Sequence, residues 1–190
     1  KRGAKMVRQI LTFAQGSPES EPTADVTALL QEVVDVARRG FSNSIEIRLN
    51  IPHRENIGRL HGAVPIDSTH LHQVFMNLCI NARDAMPVGG TITIATRLIK
   101  APDPELLRIH NSSHKGMFAR LMVTDQGNGI PEEIRQKIFD PFFTTKEVGQ
   151  GTGLGLSMAF GTMQQHGGFL TIAASSDQGT TIAACLPIRE

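Results

Sequence analysis

The chain has 190 residues, 40% hydrophobic and 19% charged, with 19 basic against 18 acidic side chains and a formal net charge of +1. That length allows one globular core plus a short appendage. The balanced charge supplies no field to attract nucleic acid or an anionic membrane. No apolar run approaches the roughly 20 residues of a membrane helix, and Lys1-Arg2-Gly3-Ala4 is not a signal peptide. No direct membrane contact is therefore expected of this segment. The two cysteines, Cys79 and Cys185, sit in apolar patterns and are expected to be buried, reduced thiols of a cytoplasmic protein. Two cysteines without a CxxC pair support neither a disulfide framework nor a zinc site. The first residue is not Met, so the chain reads as a piece of a longer protein, and a membrane anchor or sensor upstream would be outside it.

Ala4, Val7, Leu11 and Ala14 recur at helical spacing and predict a short helix over 4–15. At that length it needs a packing partner. Gly16 to Pro22 breaks it and reads as a linker. The next helix is predicted to begin at a Thr27 N-cap and end at a Gly40 C-cap, with Leu29, Leu30, Val33 and Ala37 on one face. Ile45, Ile47, Leu49 and Ile51 alternate with other residues as in a half-buried strand. Ala63 to Ile66 forms a short strand, and a helix follows from near Ser68. Thr91 to Thr96 alternates as a further strand. Residues 101–116 carry two prolines and read as a polar, variable loop. Leu121-Met122-Val123 is a buried strand running into Thr124-Asp125. Residues 126–153 are rich in Gly, Pro and Thr. A helix over 154–166 closes at Gly167-Gly168, and two strands near 169–174 and 180–186 are joined by a turn at Asp177-Gln178-Gly179. Helices and strands are mixed without regular βαβ alternation. The expected fold class is α/β: a two-layer sandwich with helices on one face of a mixed sheet.

Four stretches carry chemistry. In the second of the helices after the linker, Leu71, Val74, Phe75, Leu78, Ala82 and Ala85 form one apolar stripe. At about 100° per residue, Gln73, Asn77, Asn81 and Asp84 share another face. Asn77 and Asn81 lie one turn apart, and neutral oxygens suit a Mg²⁺ that also holds phosphates. The plain alternative is a solvated polar face. Asp125-Gln126-Gly127-Asn128-Gly129-Ile130 follows a buried strand. A carboxylate there can accept from an exocyclic amine, and the glycines let backbone approach a flat ring; a tight turn explains the same residues. Gly149-Gln150-Gly151-Thr152-Gly153-Leu154-Gly155-Leu156 runs into a helix, where bare N–H groups and the helix dipole favour an anion. It is neither a P-loop nor a Rossmann turn, and a flexible loop remains open. Ile138 to Lys146 places an aromatic cluster beside those glycines as a swinging lid would. Lys146 can reach a phosphate as a point charge or remain a solvated loop lysine.

The order of these stretches resembles that of bacterial sensor histidine kinases. His72 to Met86 is similar to their asparagine box, and Asp125 to Ile130 to their first glycine box. Phe139 to Lys146 resembles the phenylalanine box, Gly149 to Leu156 the second glycine box, and Gly179-Thr180-Thr181 the glycine-threonine element of the last hairpin. The resemblance covers about 23–190 and implies the ATP-binding (Bergerat-type) α/β sandwich shared with gyrase, mismatch-repair ATPases and a heat-shock chaperone. It implies ATP and Mg²⁺ as cofactors, with Asn81 as metal ligand and Asn77 as its helper. Asp125 would take the adenine amine, with Gly127, Gly129 and Ile130 lining the base and Thr180 holding a water near Asp125. Gly151, Thr152, Gly153, Leu154 and Gly155 would wrap the triphosphate, with Lys146 beside it. Asp84 matches an acidic pocket position. Arg83 turns away from the asparagine face and stays unassigned. Asn81, Asn77 and Lys146 are the expected catalytic residues.

Residues 1–16 resemble the end of a dimerisation hairpin, 17–22 a linker, and 23–190 the catalytic ATP-binding domain. None of the seven histidines stands in the family's acceptor motif. The implied partners are the phosphoacceptor histidine of the hairpin, a response-regulator receiver domain and a second copy of the parent protein. The implied location is the cytoplasm, with the parent open to inner-membrane anchoring. Two other classes compete: a gyrase- or chaperone-like ATPase, and a non-catalytic nucleotide-binding module. The hydrolytic relatives carry a glutamate one turn before the metal-binding asparagine. Here that place is Asn77, and an amide cannot serve as a general base for water. Phosphoryl transfer instead depends on positioning and charge stabilisation.

Overall fold

The structure is a computed structural model and describes residues 23–51, 61–100, 116–147 and 151–188. The expected N-terminal helix and linker, most of the 101–116 loop, and Gly149 and Gln150 lie outside the described residues.

After a short strand β1 (Thr23–Asp25), helix α1 spans Val26–Gly40. Its cap is Asp25, whose carboxylate accepts the N–H groups of Thr27 and Ala28, both at 3.0 Å. Thr27, expected as the cap, is already helical. Gly40 is the last helical residue rather than the cap; Phe41 leaves in extended conformation and donates its N–H to the Ala37 carbonyl at 2.9 Å. Arg38 and Arg39 in the last turn complement the helix dipole. Strands β2 (Ile45–Asn50) and β3 (His61–Pro65) lead to α2 (Ser68–Asp84). Asp67 caps α2 by accepting from Thr69 N at 2.7 Å and His70 N at 3.4 Å. Strands β4 (Gly90–Lys100) and β5 (Met117–Thr124) flank the undescribed loop, and β4 runs four residues beyond the expected Thr96. A 3₁₀ turn at Glu132–Ile134 interrupts the glycine-rich stretch. Helix α3 (Gly155–Gln165) and strands β6 (Phe169–Ser176) and β7 (Gly179–Pro187) complete the fold.

β1 and β3 pair as a small antiparallel ribbon, while the main sheet runs β2-β4-β5-β7-β6. β2 is parallel to β4 and the other neighbours are antiparallel, which is the mixed sheet expected. Alternation decides which face each side chain serves. Ile92, Ile94, Leu121, Val123, Leu170, Ile182 and Leu186 share one core with the buried stripes of all three helices. Phe118, Phe169 and Cys185 point the other way and form a separate small cluster. The helices therefore cover one face. Among the described residues no helix is long and apolar enough to cross a membrane.

Both cysteines are buried and free. Burial pushes the Cys79 thiol up to about 12 and the Cys185 thiol up to about 11. The thiolate is the reactive form, so neither should be alkylated by iodoacetamide in the native protein at neutral pH. Both should react in denaturant, as intact-mass measurement would read.

Candidate functional site

The site lies where the end of β5 meets the last turns of α2 and the first turn of α3. The β5–β7 register pairs Thr124 with Thr181 and so sets Asp125 beside Thr180. The Asp125 N–H donates to the Thr180 carbonyl at 2.9 Å. Asp125 Oδ1 accepts from Thr180 N at 3.2 Å and Gly127 N at 2.8 Å. Asp125 is 8% exposed, and burial raises its pKa against the lowering effect of those two N–H groups. A buried carboxylate with both backbone bonds on one oxygen keeps its second oxygen for another donor.

Three glycines here are required by close approach. A Cβ on Gly127 would sit 2.6 Å from the Ala85 carbonyl oxygen, one on Gly129 would fall 1.9 Å from that of Ser176, and one on Gly179 would fall 2.0 Å from that of Asp125. Gly127 thereby locks the Asp125 loop to the end of α2. Gly129 also has a positive φ of 73°. Ile130 donates its N–H to Ser175 Oγ at 2.7 Å, and Ser175 Oγ lies 3.4 Å from Thr180 Oγ1. Arg135 clasps this corner, donating to the carbonyls of Ile130 at 3.1 Å and Ser175 at 3.2 Å. Gln126 accepts the Thr91 N–H at 2.9 Å, tying the loop to β4. Ser175, Arg135 and Gln126 carry no motif signal, because their roles depend on which strands become neighbours.

Asn77 and Asn81 lie half-buried on α2, off the apolar stripe. A Cβ on Gly155 would stand 3.7 Å from Asn77 Oδ1, so α3 begins against this side chain. The α3 N-cap, Leu154, offers no side-chain hydrogen bond, and its first turn has no acidic residue. Bare N–H groups at a helix start favour an anion there. Thr152 Oγ1 accepts the Leu154 N–H at 3.3 Å. Gly153 has φ +64°, and a Cβ there would fall 2.3 Å from the Phe142 carbonyl carbon. Phe142 itself has φ +67°, is 63% exposed, and donates its N–H to the Gly153 carbonyl at 2.9 Å. A non-glycine residue in that region stores strain. Phe139 stacks on Phe160 of α3 at 5.1 Å. The aromatic stretch is thus docked on α3 and fastened to the glycine-rich turn.

Lys146 points into the site. Its Nζ lies 2.5 Å from Asp84 Oδ2. Arg83 donates through Nε at 2.8 Å and Nη2 at 2.6 Å to Asp84 Oδ1, and its guanidinium lies 4.9 Å from the centre of the Phe41 ring. Arg83, left aside by helical arithmetic, therefore belongs to this network. Burial raises the Asp84 pKa, but the hydrogen bonds from Lys146 and Arg83 outweigh it and the net shift is downward. Asp84 is thus ionised at neutral pH. Among the described residues no group of three or more His, Cys, Asp or Glu side chains could hold a metal by itself. The Asn77 amide oxygen beside the start of α3, with Asn81 one turn further along α2, fits a Mg²⁺ that takes its remaining ligands from phosphates and water.

Two layers, a mixed sheet, a buried acid at a strand end and a glycine-rich turn into a helix define an ATPase-type nucleotide-binding domain. Residues 66–190 match the family described as histidine kinase-, DNA gyrase B-, and HSP90-like ATPase, and the chain belongs to that family. It is 40% identical over 186 residues to a sensor kinase, CckA, of Brucella abortus, covering 98% of this chain and 19% of that protein. It is 30% identical to sporulation kinase C of Bacillus subtilis, covering all of this chain and 39% of the relative. Among solved structures it resembles a mycobacterial sensor histidine kinase, MprB, at 28% identity and TM-score 0.62, covering 86% of this chain and 95% of that one. It also resembles the catalytic domain of the histidine kinase ThkA at 27% identity and TM-score 0.63, covering 86% and 93%. The chain spans less than half the length of CckA and of sporulation kinase C.

Proposed function

We propose that this chain is the ATP-binding catalytic domain of a two-component sensor histidine kinase and passes the γ-phosphoryl group of ATP to a histidine on a separate dimerisation hairpin. The observation that carries the choice is Asn77: an amide stands at the start of α3, one turn before Asn81, where a hydrolytic relative would need a carboxylate base. Asp125 accepts the adenine amine, with Gly127, Gly129, Ile130 and Thr180 shaping the base pocket. The first turn of α3 and Gly151 to Gly155 offer N–H groups to the phosphates, and Lys146 adds a point charge. Asn81, helped by Asn77, would hold a Mg²⁺, which would supply charge neutralisation. The nucleophile comes from the partner histidine, so this domain positions and neutralises rather than abstracting a proton. A response-regulator receiver domain then takes the phosphoryl group. The parent is a homodimer acting in the cytoplasm.

The test combines this 190-residue chain with Mg²⁺ and γ-labelled ATP, with and without the parent's phosphoacceptor hairpin. Alone, the chain should stay unlabelled. With the hairpin, acid-labile label should appear on the hairpin. Steady phosphate release without transfer would favour the ATPase reading, and label on a histidine of this chain would overturn the assignment of roles.

A further inference from the structure

One carboxylate in the site is shared by two cations from different parts of the chain. Lys146 and Asp84 are 62 residues apart in sequence, and their side chains are 31% and 23% exposed. Arg83 occupies the other oxygen of Asp84 and is steadied on Phe41. A Cβ on Gly151 would come within 3.1 Å of Lys146 Cδ, so the glycine-rich turn leaves room for the lysine stem and nothing larger. Two cations thus share one carboxylate, with the lysine stem lying beside the glycine-rich turn at Gly151.

We propose that Asp84 is a positioning residue that holds Lys146 at the phosphate end of the site until a triphosphate replaces it as counter-ion, and that Arg83 keeps Asp84 paired once the lysine has moved. The proposal rests on the ATP-binding reading and adds how the lysine is kept ready. The Lys146–Asp84 pair ties the end of the 141–147 stretch to α2. Without Arg83, releasing the lysine would leave an uncompensated carboxylate beside the incoming phosphates, which electrostatics opposes. With Arg83 present, Lys146 changes one anion for another and no charge is stranded. The pair is partly solvated and screened, which limits its strength and makes it exchangeable. Arg is suited to the static role, since its planar fork stacks on a ring while donating twice, and Lys to the moving one.

The experiment uses amide exchange on the nucleotide-free protein and ATP titration calorimetry. In Asp84→Asn and in Lys146→Gln, residues 141–147 should exchange faster without nucleotide. Lys146→Gln lies outside α2, so it tests the tether even where Asp84→Asn perturbs the helix. ATP affinity should rise in Asp84→Asn by about three- to tenfold, because the carboxylate that competes with the triphosphate for Lys146 has gone. It should fall in Arg83→Gln by a similar factor and return when Asp84→Asn is added. Unchanged exchange in both tether variants would overturn the proposal, as would weaker ATP binding in Asp84→Asn, which would make Asp84 a direct nucleotide or metal contact. If the parent chain binds no ATP, the functional reading fails while the exchange arm still decides the tether.

Discussion

Replacing Asp125 with Asn is expected to weaken ATP binding about tenfold or more and to leave the fold as stable as the parent, or more stable, at neutral pH. The two effects have one cause. Asp125 is buried at the end of β5, and burial raises its carboxyl pKa despite the N–H groups of Gly127 and Thr180. With the folded pKa above the unfolded one, the unfolded chain loses its proton first as pH rises. The ionised side chain therefore counts against folding from the unfolded pKa upward, and in full above the folded pKa. Asn removes that charge yet retains an oxygen that can accept from Gly127 and Thr180. Binding responds in the opposite sense. A hydrogen bond from an adenine amine to a charged acceptor is worth roughly 1.5–3 kcal/mol, which corresponds to about tenfold or more in affinity. The substituted amide also risks turning a donor toward the base amine. Calorimetric titration with ATP and melting curves from acid to neutral pH would read both effects. Unchanged affinity would move adenine recognition elsewhere, and a marked loss of stability would make Asp125 a structural acid.

Much of this was open to reading from the sequence because the fold announces itself through period. Ile45, Ile47 and Leu49 alternate and become a strand; Leu71, Val74, Phe75, Leu78 and Ala82 repeat at helical spacing and are buried on α2. Caps are less legible. Asp25 and Thr27 are both good N-cap residues two positions apart, and only the backbone path shows that Asp25 receives the N–H groups. Contacts between distant segments are not periodic at all. Nothing local says that Gly129 must clear the Ser176 carbonyl, that Ser175 will accept from Ile130, or that Lys146 will find Asp84. Arg83 shows the limit of helical arithmetic. The angle gives the direction of Cα–Cβ, but a long side chain can fold back onto its neighbour. That a glycine-rich turn leads into a helix was legible, and α3 does begin at Gly155. The strain of that turn, seen in Phe142 with φ +67° against Gly153 with φ +64°, was not.

The second large effect is expected at Asn81. Asn81→Ala should fold normally and bind ADP without metal nearly as the parent does. It should lose the difference in ATP affinity between Mg²⁺ and chelator. The folding half follows from position. Asn81 is half-buried, lies off the stripe that carries Leu78 and Ala82 into the core, and its side chain makes no hydrogen bond among the described residues. Its backbone carbonyl accepts from Ala85 N at 3.0 Å, a bond that alanine keeps. Changes at such positions usually alter stability by less than about 0.5 kcal/mol, and Ala is the stronger helix former. The binding half follows from chemistry. Asn81 stands one turn from Asn77, whose amide faces the start of α3 where phosphates would lie. An amide oxygen there with no protein donor to satisfy suits a cation bridged to those phosphates. Adenine recognition, which the proposed function gives to Asp125, should be untouched. Titrations of ATP and ADP with Mg²⁺ and with chelator separate these contributions. A variant whose Mg²⁺ dependence matches the parent would count against Asn81 as the metal ligand and shift that role to Asn77. A variant that unfolds would instead make Asn81 a packing residue of α2.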